Sequence, residues 1–165
     1  MKKKGNNFFK KIKWDSFFLS LIAVYATALL GSLFVSKGIS SSWYLIVRPS
    51  ITPPGWVFSL VWNILFFMIF ISLYFCLKSM KKEKWPTNIE LVFSINLILN
   101  FLWCFLFFWK GYLTLAFIDL ILLWISIIVL IRLTWKSNRT SALLLIPYLI
   151  WISFAGVLNY LIAFG

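Results

Sequence analysis

The sequence predicts an all-α integral membrane protein: a five-transmembrane-helix bundle with an ordered loop between helices 1 and 2 covering a pocket. Three observations carry this. Of the 165 residues, 62% are hydrophobic and 12% are charged, against about 45–50% and about 25% in a soluble domain. Five apolar stretches are each long enough to cross a hydrocarbon core of about 30 Å as helix. The basic residues fall in short clusters between those stretches. So small a soluble domain could not cover its surface with so few polar groups. The composition also excludes a disordered chain and a disulfide-stapled secreted scaffold.

The predicted spans are 17–36, 56–77, 89–108, 112–131 and 142–163, within one domain over 1–165. None alternates strictly, so a β-barrel is not expected. In lipid each backbone group must be satisfied within its own segment, which makes the runs helices. A basic tail over 1–16 precedes the first span. An apolar run of 20 residues is too long for the core of a signal peptide, so this segment reads as a span. Lys2, Lys3, Lys4, Lys10, Lys11, Lys13, Lys78, Lys81, Lys82, Lys84, Arg132, Lys136 and Arg139 lie on one side of the bundle. Only Lys37, Arg48 and Lys110 lie on the other. The positive-inside rule then predicts an inside amino terminus and an outside carboxyl terminus, in a bacterial plasma membrane. Trp14, Trp43, Tyr44, Trp56, Trp85, Trp109, Tyr112 and Trp135 sit near span ends, as interfacial anchors do.

The long connection, 37–55, holds Trp43, Tyr44, Ile46, Val47, Pro49, Pro53 and Pro54. Disordered linkers rarely carry so much apolar and rigid content, so it reads as an ordered lid. Pro53 and Pro54 ahead of Trp56 suit a helix start, where no hydrogen bond is lost to proline.

Polar residues within spans point to function or to helix association. They are Asn63, Asn96, Asn100, Asp119 and Asn159. At about 1.5 Å per residue, Trp62, Asn100, Asp119 and Ala155 share a layer roughly 9–12 Å below the lid side. Trp103 falls slightly above that layer and Trp151 below it. Such a layer describes a pocket open toward the lid. Asn96 and Asn159 read as ties between helices. Asn100 and Asp119 fit either a tie or a cavity wall. Asn100, Trp103 and Phe107 share one helical face, which suits packing as well as binding. Ala23, Thr27 and Gly31 recur every fourth residue, a small-residue face for close helix approach within the chain or in a homodimer.

Conventional catalytic chemistry has little to work with. There is no histidine, and the four acids, Asp15, Glu83, Glu90 and Asp119, are scattered. Cys76 and Cys104 lie in apolar runs and read as small buried hydrophobes. No phosphate-binding loop, metalloprotease helix or nucleophile elbow occurs. No metal site and no nucleic acid partner are expected. The natural ligand should be flat and apolar, because indole rings offer stacking area with few polar demands.

Several strings together resemble the translocator protein family, also called the peripheral benzodiazepine receptor or tryptophan-rich sensory protein family. They are Trp43-Tyr44, Arg48-Pro49-Ser50, Thr52-Pro53-Pro54-Gly55-Trp56-Val57-Phe58 and Val61-Trp62 around the lid and second span. Leu99-Asn100, Trp103 and Phe107-Phe108 match the third-span motif, and Asp119 the fourth-span Asp. Pro147-Tyr148-Leu149, Trp151, Phe154-Ala155 and Leu158-Asn159-Tyr160 match the fifth. The resemblance covers about residues 20–160, in order.

It implies a bundle that is often a homodimer and a receptor or sensor for porphyrins such as protoporphyrin IX and similar lipophiles, with no further cofactor. By motif position Trp62, Asn100, Asp119, Trp151, Phe154 and Ala155 would line the pocket, with Trp43 and Pro49 shaping its lid. Two other functions remain open: light-dependent porphyrin degradation, which would use Trp62 and Trp151, and transport of porphyrins or other lipophiles. The family's cholesterol motif places a basic residue shortly after the fifth-span Tyr. No basic residue lies among 161–165 here, so cholesterol is not implied as a partner. Ser94 stands near the place of a common third-span Gln, and Phe66 replaces a frequent Tyr.

Overall fold

A computed structural model describes residues 12–79 and 88–165. Glu83, Trp85, Lys81, Lys82, Lys84 and the lysines at 2–4, 10 and 11 lie outside the described residues. Six α-helices follow in order: α1 (Trp14–Ile39), α2 (Ser42–Val47), α3 (Gly55–Ser79), α4 (Asn88–Cys104), α5 (Leu113–Ser137) and α6 (Arg139–Phe164). A π-helical segment, Phe105–Lys110, continues α4. Counting α4 together with that extension, all but α2 are long and apolar enough to span a bilayer.

The observed helices outrun the apolar windows because helix continues through the interface where hydropathy fades. Trp14, Asp15 and Ser16, expected in the basic tail, instead form the first turn of α1. Asp15 there complements the positive end of the helix dipole. At the start of α6 the Asn138 side chain accepts from the Ser141 backbone N–H at 3.1 Å, so one free N–H is capped. Pro147 lies inside α6 and withdraws one backbone donor. Helix α4 and its π-helical extension end at Gly111, whose φ of 65° is left-handed and favours glycine.

The spanning helices form a closed ring in the order α1, α3, α6, α5, α4 and back to α1. The core runs down the centre through Leu65, Ile69, Phe93, Leu123, Ile127, Tyr148 and Ile152. The outer faces carry Ile22, Leu29, Leu60, Phe67, Ile98 and Ile150, which face acyl chains. The connection between α1 and α3 is ordered and partly helical. The Thr52 N–H donates to the Pro49 carbonyl at 3.0 Å, and the Pro54 carbonyl receives the Val57 and Phe58 N–H groups.

Two glycines of α1 let it approach its neighbour. A Cβ at Gly31 would meet Cys104 Sγ at 3.3 Å, and one at Gly38 would meet Phe108 Cβ at 2.5 Å. The small-residue face of α1 is therefore used at Gly31 for packing within the chain. Gly38→Ala should destabilise the protein by about 1–3 kcal/mol, because Phe108 Cβ cannot withdraw without its backbone. Gly55→Ala should be close to neutral, since its Cβ would reach only Ile39 Cγ2 at 4.0 Å. Dodecyl sulfate unfolding in mixed micelles compares the two; equal stability would contradict the packing described.

Candidate functional site

The site begins with the polar side chains that have no water to bond. Asn96 and Asn100 stand one turn apart on α4 and hold the hydroxyl of Tyr148 between them. Asn100 Nδ2 donates to it at 3.0 Å, and it donates to Asn96 Oδ1 at 3.4 Å. Asn96 Nδ2 also donates to Ser126 Oγ of α5 at 2.8 Å. Nearer the lid, Trp103 Nε1 donates to Asn159 Oδ1 at 3.2 Å, and Asn159 Nδ2 donates to the Leu113 carbonyl at 3.0 Å. Asn96, Asn100 and Asn159 thus tie α4, α5 and α6 together.

That tie fixes the aromatic side chains around it. Trp62 lies nearly parallel to Trp103, with ring centroids 6.4 Å apart at 28°. Trp103 stacks on Phe107 at 5.5 Å and 26°. Trp62 also meets Phe66 at 5.4 Å and the edge of Tyr148 at 6.3 Å. Phe107 and Phe108 are both buried on the π-helical turn that follows Trp103.

Beside these rings lies a cavity of about 240 Å³, walled by α1, α3 and α4. Trp62, Asn100 and Trp103 line it, together with Phe58, Phe66 and Cys104. The other residues singled out by sequence lie elsewhere. Trp151 packs behind Phe58 at 5.5 Å and against Phe154 at 5.6 Å, and neither Trp151 nor Phe154 lines the cavity. Ala155 borders a separate void of only about 10 Å³ beneath the lid. Asp119 is 5% exposed and also lies outside the cavity wall; its Oδ2 has no hydrogen-bond partner among the described residues. Trp43 meets Phe107 at 6.1 Å, and Pro49 holds the turn that follows α2. Trp43 and Pro49 shape the lid without touching the cavity. Trp62 and Asn100 share a depth with Asp119 and Ala155, yet the fold separates the pairs, because equal depth does not fix which way a helix face turns.

The lid is sealed by aromatic packing. Tyr44 of α2 is buried against Phe107 at 6.2 Å and Phe108 at 5.8 Å. Burial raises the Tyr44 hydroxyl above its ordinary pKa, with Arg48 pulling partly the other way, so it stays neutral at physiological pH.

Sequence reasoning missed Tyr148 as the centre of the polar tie. The signal was present: two amides at a four-residue spacing demand a common partner in lipid. It also missed the α1 wall, where Tyr25, Ala28 and Ser32 carry no motif.

Five helices long and apolar enough to span a bilayer define a multi-pass integral membrane protein, and three of them, α1, α3 and α4, wall an aromatic-lined cavity within it. Residues 18–164 match the TspO/MBR family, and the chain belongs to it. The Tryptophan-rich protein TspO of Archaeoglobus fulgidus is 37% identical over 145 residues, covering 87% of this chain and 92% of that protein. The Translocator protein of Ovis aries is 29% identical over 134 residues, 79% of this chain and 78% of its own. The Tryptophan-rich sensory protein of Cereibacter sphaeroides is 26% identical over 150 residues, 89% of each chain.

Asn159→Leu should leave the Trp103 N–H without its partner, remove the added bond to the Leu113 carbonyl and cost about 1–2 kcal/mol. A double-mutant cycle with Trp103→Phe should recover part of that loss, read by dodecyl sulfate unfolding. Fully additive losses would mean the two side chains do not interact.

Proposed function

We propose that the protein is a membrane receptor or sensor that holds porphyrins of the protoporphyrin IX type, and similar flat apolar ligands, in the cavity beside Trp62. The observation that carries this reading is the pair of near-parallel indoles, Trp62 and Trp103, at the wall of an intramembrane void, with Asn100 as a polar group at the same wall. A flat ring gains stacking area against such a wall. The name of the Cereibacter sphaeroides relative, a sensory protein, agrees with a sensing role.

Light-dependent degradation of the bound porphyrin is the second reading, supported by Trp62 on the cavity wall. Trp151 stands behind Phe58 and would act only through it. Transport of porphyrins or other lipophiles has less support, since Asp119 alone among the acids lies deep in a span. We further place the amino terminus inside a bacterial plasma membrane, on the charge bias of thirteen Lys/Arg against three. A homodimer fits the family but is not needed to complete the cavity.

Titration of protoporphyrin IX into the purified protein should quench tryptophan emission saturably. Trp62→Ala should weaken binding about tenfold, which is about 1.4 kcal/mol. Non-saturable quenching, or equal affinity in the variant, would overturn the assignment. If the protein degrades its ligand, illumination should bleach the Soret band of bound porphyrin faster than that of free porphyrin; equal rates would exclude this.

A further inference from the structure

We propose that the cavity opens sideways into the bilayer through a gap between α1 and α3, so that the ligand enters from lipid and not past the lid. This rests on the reading that the cavity is the porphyrin site.

Four observations support the gap. The cavity wall takes nothing from α2 or from the connection around it. Its exposed rim is Leu29 and Ser32 on α1 with Ser59 and Asn63 on α3. These residues lie within spanning helices, where exposure means contact with acyl chains. Beneath the lid, by contrast, the space is filled by Tyr44, Phe58, Trp103, Phe107 and Phe108, leaving the void of about 10 Å³.

Size makes the same demand. Pockets that enclose a ligand of moderate size run to about 300–1,000 Å³. This cavity holds about 240 Å³, so a porphyrin lodged against Trp62 must project through the gap.

Helix α1 is the span most open to lipid. Only 17% of its apolar window is buried in the protein, against 39–44% for the other four spans. Its attachment to α3 is strongest at the end away from the lid. There Lys13 Nζ donates to the Lys78 carbonyl at 2.7 Å, and Phe17 meets Phe70 at 5.3 Å and Tyr74 at 5.8 Å. Between Tyr25 and Val35 the two helices are separated by the gap, while α1 packs on α4 and its π-helical extension through Gly31, Phe34 and Gly38. The mouth is therefore a standing gap between α1 and α3, and it leaves the polar tie among α4, α5 and α6 undisturbed.

The rim is polar yet costs little in lipid. Ser32 Oγ donates to the Leu29 carbonyl at 2.7 Å, and Asn63 Nδ2 donates to the Ser59 carbonyl at 2.8 Å. Each can turn to an incoming carboxylate edge and return afterwards. The ligand class that fits is a flat apolar ring with a polar edge, dissolved in the membrane.

The test uses the full chain in phosphatidylcholine nanodiscs and two probes. One is free protoporphyrin IX. The other is the same ring joined through one propionate to an acyl chain of phosphatidylcholine, which keeps it in the bilayer and its tail in lipid. A lateral mouth predicts saturable tryptophan quenching by both, with affinities within about tenfold of each other. A Ser32→Trp, Ser59→Trp double variant should plug the mouth and weaken the tethered probe at least about tenfold. Saturable binding of the free probe with none of the tethered one would overturn the lateral mouth and leave the porphyrin site standing. Binding of neither would remove the site itself. The wild-type comparison decides the matter even if the double variant does not fold.

Discussion

The hydroxyl of Tyr148, shared between Asn96 and Asn100, is the interaction from which the rest of the bundle takes its geometry. Apolar side chains gain little by leaving lipid for a helix interface, so hydrophobicity alone does not set which faces meet. Hydrogen bonds do, because hydrocarbon offers a polar side chain no alternative partner. Tyr148 is fully buried, and its two amides come from one face of α4. Once α6 is registered on α4 this way, Asn159 reaches Trp103, and Ser126 of α5 reaches Asn96. Three helices become a rigid unit with few degrees of freedom.

Helices α1 and α3 close the ring by different means. A buried cluster in which Ser72 and Ser141 bond each other, with Cys76 Sγ 3.1 Å from Ser141 Oγ, fastens α3 to α6 far from the lid. Helix α1 approaches through glycines and aromatic edges, which pack closely but lack the directionality of the amide ties. The bundle therefore has a stiff side and a softer side, and the cavity lies where the two meet. The cavity there has an aromatic wall fixed by the amide ties and an opposite wall, on α1, held by packing alone.

The lid gains a different meaning in this arrangement. Tyr44 and Trp43 pack down on Phe107 and Phe108, so α2 acts as a stopper for the centre of the bundle and keeps water from the indoles. A stopper on one side and a gap on another are compatible duties.

How much was legible beforehand follows from which property each feature depends on. Span number, span type and the identity of Trp62, Asn100 and Trp103 as inward residues were readable, because length, hydropathy and the scarcity of polar groups in lipid are properties of the chain itself. Depth along the spans put Asp119 and Ala155 in the layer of Trp62, and the family strings added Trp151 and Phe154, yet the fold sets all four apart from the cavity. Depth along a helix can be counted from sequence, but rotation about the helix axis is set by the neighbours it packs against. The π-helical turn at Phe105–Lys110 shows the same limit: no glycine, proline or polar residue marks it between Cys104 and Lys110. The sequence by itself determined that the chain is a five-span bundle with indoles and amides inside, because water and lipid sort residues whatever their partners. Only the tertiary structure decided that the cavity borders α1 and α3 and not the lid, because that depends on how close two helices come, a distance fixed by side chains far apart in the chain.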